Sequence, residues 1–264
     1  MRFRKKFIFF DKVFFINKIK LLIKLIINKF SVDIVRFQSI EQDLKIIFKK
    51  KIDKKIIIFD VGAFTGNSVF EFRKVFKNSL IFSFEPSKKN FDILKKNTKK
   101  IKNLRLHNIA LSNKNGYSNF YENKWEYTSS LLPLNNSEYK KRLEKIFKYR
   151  GINEIQSKYL VKTHTLDYFI KNKNISHIDI LKIDTQGNEI DVLKGMSYLL
   201  KNKIAKVIII ELIFENYYRN SKTSFYNVEK YLHKNNYKMM GIYNINKTAG
   251  NFLSQIDVMY TFNN

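Results

Sequence analysis

The sequence predicts an α/β domain with a doubly wound, mostly parallel sheet over residues 55–264, preceded by a basic helical extension over residues 1–54. Three observations predict this class. Short, continuous aliphatic runs recur along the chain, helical patterns lie between most of them, and a turn with two glycines follows the first run. Runs that are apolar on both faces are typical of parallel strands covered by helices.

The composition narrows the class of protein further. Hydrophobic residues make up 44% of the 264 residues, which excludes general disorder. The chain has no cysteine, so disulfides and thiolate metal sites are excluded, and a cytoplasmic location is expected. The net charge of +27 suggests nucleic acid, but 42 of the 50 basic residues are lysine. Because base and phosphate recognition usually relies on arginine forks, we expect no nucleic-acid partner.

The extension contains an amphipathic basic helix over residues 13–30. Its interior lysines argue against a membrane-spanning helix, and no cleavage site follows the apolar run, which disfavours a signal peptide. Two alternatives remain for its apolar face. It packs on the domain core or on a second copy in a homodimer, or it lies on a membrane surface as a peripheral contact, which would make the protein membrane-associated.

The elements of the main domain follow in order. The predicted buried strands are Ile56–Val61, Leu80–Phe84, Leu104–Leu111, Ile178–Ile183 and Val207–Leu212. Helical patterns cover residues 68–77, 88–99, 189–200 and 224–235. Residues 113–160 interrupt this alternation, with a strand pair at Gly116–Tyr121 and a charged helix at Ser137–Arg150. We interpret this region as an insertion where acceptor specificity could reside.

The turn after the first strand is of a type that binds nucleotides. Glycines at 62 and 66 allow a tight turn and close approach to a ligand, and the following helix offers unpaired N–H groups. The third glycine of the dinucleotide fingerprint is missing, and no Gly-Lys-Ser/Thr follows, so a dinucleotide is disfavoured and a P-loop is excluded. A plain strand-to-helix turn is the alternative.

Carboxylates follow three of the predicted strands. Glu85 lies at the end of the second strand, 19 residues after Gly66, where such folds bind a ribose diol; an acidic residue preceding a helix is the alternative. Asp184 and Glu211 end two later strands, so both should reach the carboxyl edge of the sheet. There they could act as a base, orient an acceptor or bind a metal. For Glu189 a charge at a helix N-terminus is favoured.

An ordered set of segments resembles the FkbM-type S-adenosylmethionine-dependent methyltransferases, which have the Rossmann-like class I methyltransferase fold. The resemblance covers roughly residues 56–215. The matching segments are Asp60–Ala63 with Gly66, Phe84–Ser87, Ile109–Ser112, Ser129–Leu131, Thr165–Asp167, Leu181–Asp184 with Gly187 and Glu189, Val192–Gly195, and Ile210–Glu211. Residues 1–50 match no motif of this family.

The resemblance implies S-adenosylmethionine as cofactor, and we assign no metal-binding residue. The methionine part would contact the glycine turn, Glu85 the ribose, and the end of the third strand the adenine edge, while Asp184 would face the sulfonium. The implied cofactor-binding residues are Asp60, Gly62, Ala63, Phe64, Gly66, Glu85, Ala110, Leu111, Ser112 and Asp184. Asp184 and Glu211 are the candidate catalytic residues for O-methylation of a small-molecule or glycan acceptor, such as a sugar or a lipid-linked saccharide.

Two departures from the family pattern keep other functions open. Phe64 stands where the family often has Asn, and Gln186 where it usually has an acidic residue. A catalytically silent cofactor-binding protein is therefore one alternative, and a nucleic-acid methyltransferase, suggested by charge alone, is another. A general base is not obvious, since His107 and His164 each lie in or beside a strand-like run and are favoured as structural residues. Lys182 either neutralises an acidic substrate or pairs with Asp184.

Overall fold

The computed structural model describes residues 39–51, 54–135, 155–248 and 250–262. The contacts within the chain divide it into two compact units, Met1–Ser39 and Ile40–Asn264, and the second unit is the domain described below. The amphipathic helix over residues 13–30 and the charged helix at Ser137–Arg150 lie outside the described residues. Both stay predictions.

The domain alternates strands and helices over most of its length. Its helices are α1 (Ile40–Ile47), α2 (Asn67–Val75), α3 (Lys88–Asn97), α4 (Leu166–Asn172), α5 (Glu189–Lys194), α6 (Ser197–Lys201) and α7 (Phe225–Lys234). Its strands are β1 (Ile57–Val61), β2 (Leu80–Phe84), β3 (Leu104–His107), β4 (Ala110–Leu111), β5 (Gly116–Asn123), β6 (Ile155–His164), β7 (Ile178–Ile183), β8 (Ala205–Ile213), β9 (Lys238–Lys247) and β10 (Leu253–Thr261).

The central sheet has seven strands in the order β3-β2-β1-β7-β8-β10-β9. The first five of these are parallel to one another, whereas β10 pairs antiparallel with both β8 and β9. The strand order reverses between β1 and β7, and a crevice for a ligand forms at such a point outside the carboxyl ends of the strands. The predicted doubly wound, mostly parallel sheet of the class I methyltransferase type is confirmed.

Both faces of the sheet are covered by helices, which explains why the strand runs are apolar throughout. Phe59 and Leu181 belong to one buried cluster, which α4, α5, α6 and α7 complete. Ile58 and Ile180 belong to the cluster on the other face, with side chains from α1, α2 and α3. Each fully buried aliphatic or aromatic side chain contributes about 1.5–3 kcal/mol of transfer free energy. A ligand can therefore approach the sheet only at its edges.

Short polar side chains set where several helices begin. Ser87, Thr165 and Ser224 each accept a hydrogen bond from the backbone N–H three residues later, which makes them the N-caps of α3, α4 and α7. The predicted helix over residues 189–200 is divided into α5 and α6. The carboxylate of Asp167 accepts from the N–H groups of Tyr198 and Leu199 at 2.9 and 3.0 Å, so a new helix start is stabilised there.

The predicted strand Leu104–Leu111 is in fact two strands in different sheets. β3 pairs with β2 in the central sheet, whereas β4 pairs with β6 in a three-stranded sheet of order β4-β6-β5. Between them, Asn108 Nδ2 donates to the backbone oxygens of Glu85 and Pro86 at 2.8 and 3.1 Å, which fixes the bend. The predicted strand pair at Gly116–Tyr121 is the single strand β5, and its antiparallel partner β6 begins at Ile155, near the end of the predicted insertion.

Part of the predicted extension packs on the domain. In α1, Leu44 is buried, and so is Phe48 directly after it. The hydroxyl of Tyr243 on β9 donates to Asp43 Oδ2 at 2.5 Å, so a buried polar contact joins α1 to the far edge of the sheet. None of the helices in the described ranges is long and apolar enough to cross a membrane.

Candidate functional site

A cavity of about 240 Å³ lies at the carboxyl edge of the sheet, where β1, β2 and β7 end. Most of the predicted site residues line it: Gly62, Ala63, Phe64, Glu85, Ala110, Leu111 and Asp184. Asp60, Gly66, Ser112 and Glu211 are not part of its lining. The structure thus brings together residues from four separate parts of the sequence, and the roles assigned to them remain predictions.

The glycine turn is held against both neighbouring strands. Gly62 has φ of +85°, and a Cβ there would come within 1.7 Å of the backbone oxygen of Asp184, so only glycine allows β1 and the end of β7 to approach this closely. The N–H groups of Gly62 and Ala63 both donate to the backbone oxygen of Phe84 at 3.0 Å. The turn therefore has a fixed position relative to β2.

Glu85 is the buried carboxylate beside this turn. Its Oε2 accepts from the N–H of Phe64 and its Oε1 from the N–H of Ser87, both at 2.9 Å. Burial raises the pKa of Glu85 to about 7, although the two backbone hydrogen bonds act against this shift. Each oxygen keeps acceptor capacity for one more donor, so the carboxylate can bind a pair of hydroxyls presented from the cavity.

Asp60 lies below the turn on β1 and is fully buried. Its Oδ2 accepts from Ser68 Oγ at 2.6 Å, while its Oδ1 has no hydrogen-bond partner among the described residues. Burial raises the pKa of Asp60, and the nearby Lys182 on the neighbouring strand opposes that rise. A buried carboxylate oxygen without a donor is costly, so a buried water is the simplest donor for Asp60 Oδ1.

Asp184 is the carboxylate at the end of β7. Its Oδ2 accepts a hydrogen bond from Lys182 Nζ at 2.8 Å, and its Oδ1 accepts one from Gln186 Nε2 at 3.0 Å. Burial alone would raise the pKa of Asp184, but the charge of Lys182 and the hydrogen bonds to the carboxylate together outweigh it and hold the pKa below its usual value. The sequence left two roles open for Lys182. In the structure Lys182 forms the ion pair with Asp184, and this ion pair keeps Asp184 ionised.

Glu211 stands behind Gln186 and does not reach the cavity. Gln186 Nε2 donates to Glu211 Oε2 at 2.7 Å, and the amide of Gln255 on β10 donates to Glu211 Oε1. Burial, and then the charge of Asp184, raise the pKa of Glu211 well above its usual value. The two candidate catalytic carboxylates are thus linked through one amide, although only Asp184 faces the cavity.

The loop after β7 depends on contacts that the sequence did not predict. Gln186 has φ of +55°, its backbone oxygen accepts from Ser130 Oγ at 2.7 Å, and its Oε1 accepts from the Tyr218 hydroxyl at 3.0 Å. Glu189, interpreted from sequence as a helix N-terminal charge, is the first residue of α5, and its carboxylate accepts from the N–H groups of Thr185 and Gly187, both at 3.0 Å. It braces the loop that carries Gln186.

The mouth of the cavity carries aromatic residues that sequence reasoning missed. The ring of Tyr127 lies 4.6 Å from that of Phe64, centroid to centroid, and 6.0 Å from that of Trp125. Glu126 also lines the cavity and pairs with Lys89. The resemblance marked the following residues, 129–131, as a motif, but nothing in the sequence predicted that the turn before them reaches the site.

Neither candidate histidine lies on the cavity. His107 stacks on Phe84, with ring centroids 5.2 Å apart, and burial lowers its pKa to about 4. His164 stacks on Tyr168, and burial lowers its pKa as well. The interpretation of both as structural residues agrees with these positions. Within the described ranges no group of three or more His, Cys, Asp or Glu could hold a metal ion.

Comparison with protein families and curated proteins gives a consistent result. Residues 60–239 match the family model described as the Methyltransferase FkbM domain. The 2-O-methyltransferase NoeI of Sinorhizobium fredii is 24% identical over 146 residues, which are 53% of this chain and 56% of that protein. The chain therefore spans little more than half the length of this relative.

The solved structures that resemble this chain have low sequence identity to it. An rRNA methylase from Streptococcus thermophilus has a TM-score of 0.45 at 10% identity, over 87% of this chain and 99% of that chain. A structure from Streptococcus mutans in complex with SAH has a TM-score of 0.44 at 12% identity, over 86% of this chain and 99% of that one.

Proposed function

Because the chain belongs to the FkbM methyltransferase family, whose domain covers residues 60–239, we propose that it methylates a hydroxyl of a sugar, free or within a glycan or lipid-linked saccharide. The cofactor is S-adenosylmethionine. The observation that carries the assignment to this cavity is Glu85, a buried carboxylate with free acceptor capacity that lies beside the glycine turn at the end of β2.

The residues of the cavity fit this cofactor. Glu85 can accept both ribose hydroxyls, and the side chains of Phe84, Ile109 and Leu111 form an apolar slot of the kind that a flat purine ring occupies. Asp60 Oδ1, buried without a donor, marks where a polar group of the methionine part would bind, either directly or through a water. These are the residues that would hold the cofactor.

The bound cofactor supplies an electrophilic methyl group on a positively charged sulfur. Asp184 is ionised, because Lys182 and Gln186 both donate to it, so it can complement a positive charge in the cavity. Transfer would form a C–O bond and break the methyl C–S bond, S-adenosylhomocysteine would leave as a neutral thioether, and the acceptor hydroxyl would lose its proton. Asp184 is an ionised carboxylate that lines the cavity directly after β7. We assign it the task of receiving that proton.

Glu211 contributes to this reaction from its position behind Gln186, outside the cavity. Its carboxyl fixes the amide of Gln186, and this amide in turn fixes Asp184, so the orientation of the reactive carboxylate depends on all three side chains. We therefore assign Glu211 as a positioning residue. This differs from the sequence prediction, which gave both carboxylates the same place at the edge of the sheet.

A sugar hydroxyl is supported by two observations. The relative from Sinorhizobium fredii carries a name that specifies 2-O-methylation. In addition, carboxylates line the cavity at Glu71, Glu85, Glu126 and Asp184, whereas Lys182 is the one cation among its described lining residues and is paired. A polyanion such as RNA would be repelled there, in spite of the net charge of +27.

The test is a transfer assay with methyl-labelled S-adenosylmethionine, the full chain, and two acceptor pools: neutral oligosaccharides with lipid-linked saccharides, and total RNA. We expect label in the saccharide pool, and mass spectrometry should place the methyl group on a sugar oxygen. Asp184→Asn is the inactive control. Label in RNA alone would refute the proposal, and so would a methyl group on nitrogen or carbon.

A further inference from the structure

We propose that Tyr127 forms the acceptor subsite, on which the face of an uncharged sugar ring packs next to the methyl-transfer position. The inference rests on the proposed function, since it names the acceptor class for the same cavity. It adds a specificity-determining residue that neither the family match nor the relative assigns.

The position of Tyr127 is the first support. It lies in a 3₁₀ turn, Glu126–Thr128, at the rim of the cavity, and 57% of its surface is exposed. The ring of Phe64 lies behind it at 4.6 Å. An exposed aromatic ring on the rim of a cavity offers an apolar face on which a ligand in the cavity can pack.

The rigidity of the turn is the second support. Thr128 is buried, and its backbone oxygen accepts from Asn123 Nδ2 at 2.7 Å and from the Tyr218 hydroxyl at 3.1 Å. The N–H groups of Thr128 and Ser129 close the turn at 2.9 and 3.0 Å. Tyr127 therefore projects from a fixed backbone, and a ring that is held in place binds at a smaller entropic cost.

The charges around the Tyr127 side chain determine which kind of sugar ring it binds. Glu126, next to Tyr127 in the chain, lines the cavity and pairs with Lys89, and Glu71 also lines the cavity. Carboxylates accept hydrogen bonds from sugar hydroxyls, while the electron-rich face of tyrosine attracts the polarised C–H groups of a pyranose. A nucleotide or a sugar phosphate would bring its negative charge next to these carboxylates. The combination favours a neutral pyranose.

The experiment uses the full chain saturated with S-adenosylhomocysteine. Saturation-transfer NMR compares two neutral probes, methyl α-D-mannopyranoside and methyl β-D-galactopyranoside, with glucose 1-phosphate. We expect signals from the ring C–H groups of a neutral probe, little or none from the phosphate, and a loss of about fivefold or more in Tyr127→Ala. Tyr127→Trp should retain the signals. Tyr117→Ala is the matched control, since Tyr117 is 67% exposed on β5 and lies away from the cavity.

A second readout uses the single tryptophan of the chain, Trp125, whose ring lies 6.0 Å from that of Tyr127. Its fluorescence should change with the neutral probe. Unchanged signals in Tyr127→Ala, no signal from either neutral probe, or a stronger signal from the phosphate would overturn the inference. A large loss of S-adenosylhomocysteine affinity in Tyr127→Ala would also overturn it, by assigning the ring to the cofactor. Absence of cofactor binding by the unaltered chain would instead refute the proposed function.

Discussion

The cavity has two halves that are built in different ways. On the side of β1 and β2, the backbone makes the site: the glycine turn donates to Phe84, and its N–H at Phe64 holds Glu85. On the side of β7 and β8, side chains make it: Lys182 and Gln186 contact Asp184 directly, and Glu211 fixes the amide of Gln186. The first half depends on one short segment and its neighbouring strand, and the second on residues that are distant in sequence.

This difference separates two kinds of constraint. The backbone-built half tolerates few changes of shape, and because its N–H groups are always donors, Glu85 is the charged side chain on which its binding of the cofactor depends. A half built from buried charged side chains depends on every member, because removing one leaves another unpaired. We therefore expect substitutions in the first half to change folding and cofactor affinity, and substitutions in the second to change the rate of transfer.

Asp184→Asn should lower the rate of methyl transfer by about a hundredfold to a thousandfold, the usual effect of losing a group that acts on the transition state. Cofactor affinity should change much less. Initial rates with labelled cofactor and calorimetry on the same protein measure both. Asp191→Asn, on α5 and outside the cavity, is the matched control and should behave as the unaltered chain. A loss confined to cofactor affinity would place Asp184 in the first half.

Gly62→Ala should destabilise the domain by about 3 kcal/mol or more, because the added Cβ would overlap the backbone oxygen of Asp184 and φ of +85° is strained for alanine. Urea unfolding measures this. Gly116→Ala is the control: Gly116 has φ of +131° but nothing within 4 Å of an added Cβ, so only the backbone strain of about 1 kcal/mol should remain. Equal effects of the two would mean that the close approach of β1 and β7 is not constraining.

Glu85→Ala should weaken cofactor binding by about 1–3 kcal/mol, the cost of leaving the ribose hydroxyls without their acceptor. Calorimetry with S-adenosylhomocysteine measures the change. Asp92→Ala, at an exposed position of α3, serves as the control. If Glu85→Ala bound with unchanged affinity, the ribose would have to be held elsewhere in the cavity.

Cofactor affinity should also depend on pH through Glu85. Its pKa is raised to about 7 by burial, and the ionised form is the one that accepts from both hydroxyls. Lowering the pH from 8 to 6 protonates most of the carboxyl, so the dissociation constant should rise about tenfold. Glu85→Gln cannot titrate and reports the cofactor's own pH dependence. Parallel curves for the two proteins would show that Glu85 is not the group that binds the hydroxyls.

The two halves also differ in how far the sequence predicted them. The strands, the helix positions and the lining by Gly62, Glu85 and Asp184 followed from local patterns, because strand ends of a parallel sheet meet at one edge. The split of Leu104–Leu111 into two sheets was missed, since the bend depends on a side-chain contact of Asn108 with residues more than twenty positions earlier. Tyr127 and Tyr218 were missed for the same reason, and Ser130 was marked only as part of a family segment, without a role.

Glu211 shows the limit of what sequence patterns predict. The sequence placed it at the end of a strand close to Asp184, whereas β8 continues to Ile213, and the orientation of its side chain depends on Gln186 and Gln255. Gln186 itself is held by Tyr218, which lies 32 positions further along the chain. Patterns of period and spacing describe faces and edges, and they carry no information on which of two neighbouring carboxylates turns inward.

A crystal structure of the full chain with S-adenosylhomocysteine tests the central claim most directly. The account predicts the ribose hydroxyls within hydrogen-bond distance of Glu85, the purine against Leu111, and the sulfur on the Asp184 side, with its open face toward Tyr127. A ribose held away from Glu85, or a cofactor over the ends of β8 and β10, would contradict the division of the cavity into a backbone-built cofactor half and a side-chain-built acceptor half.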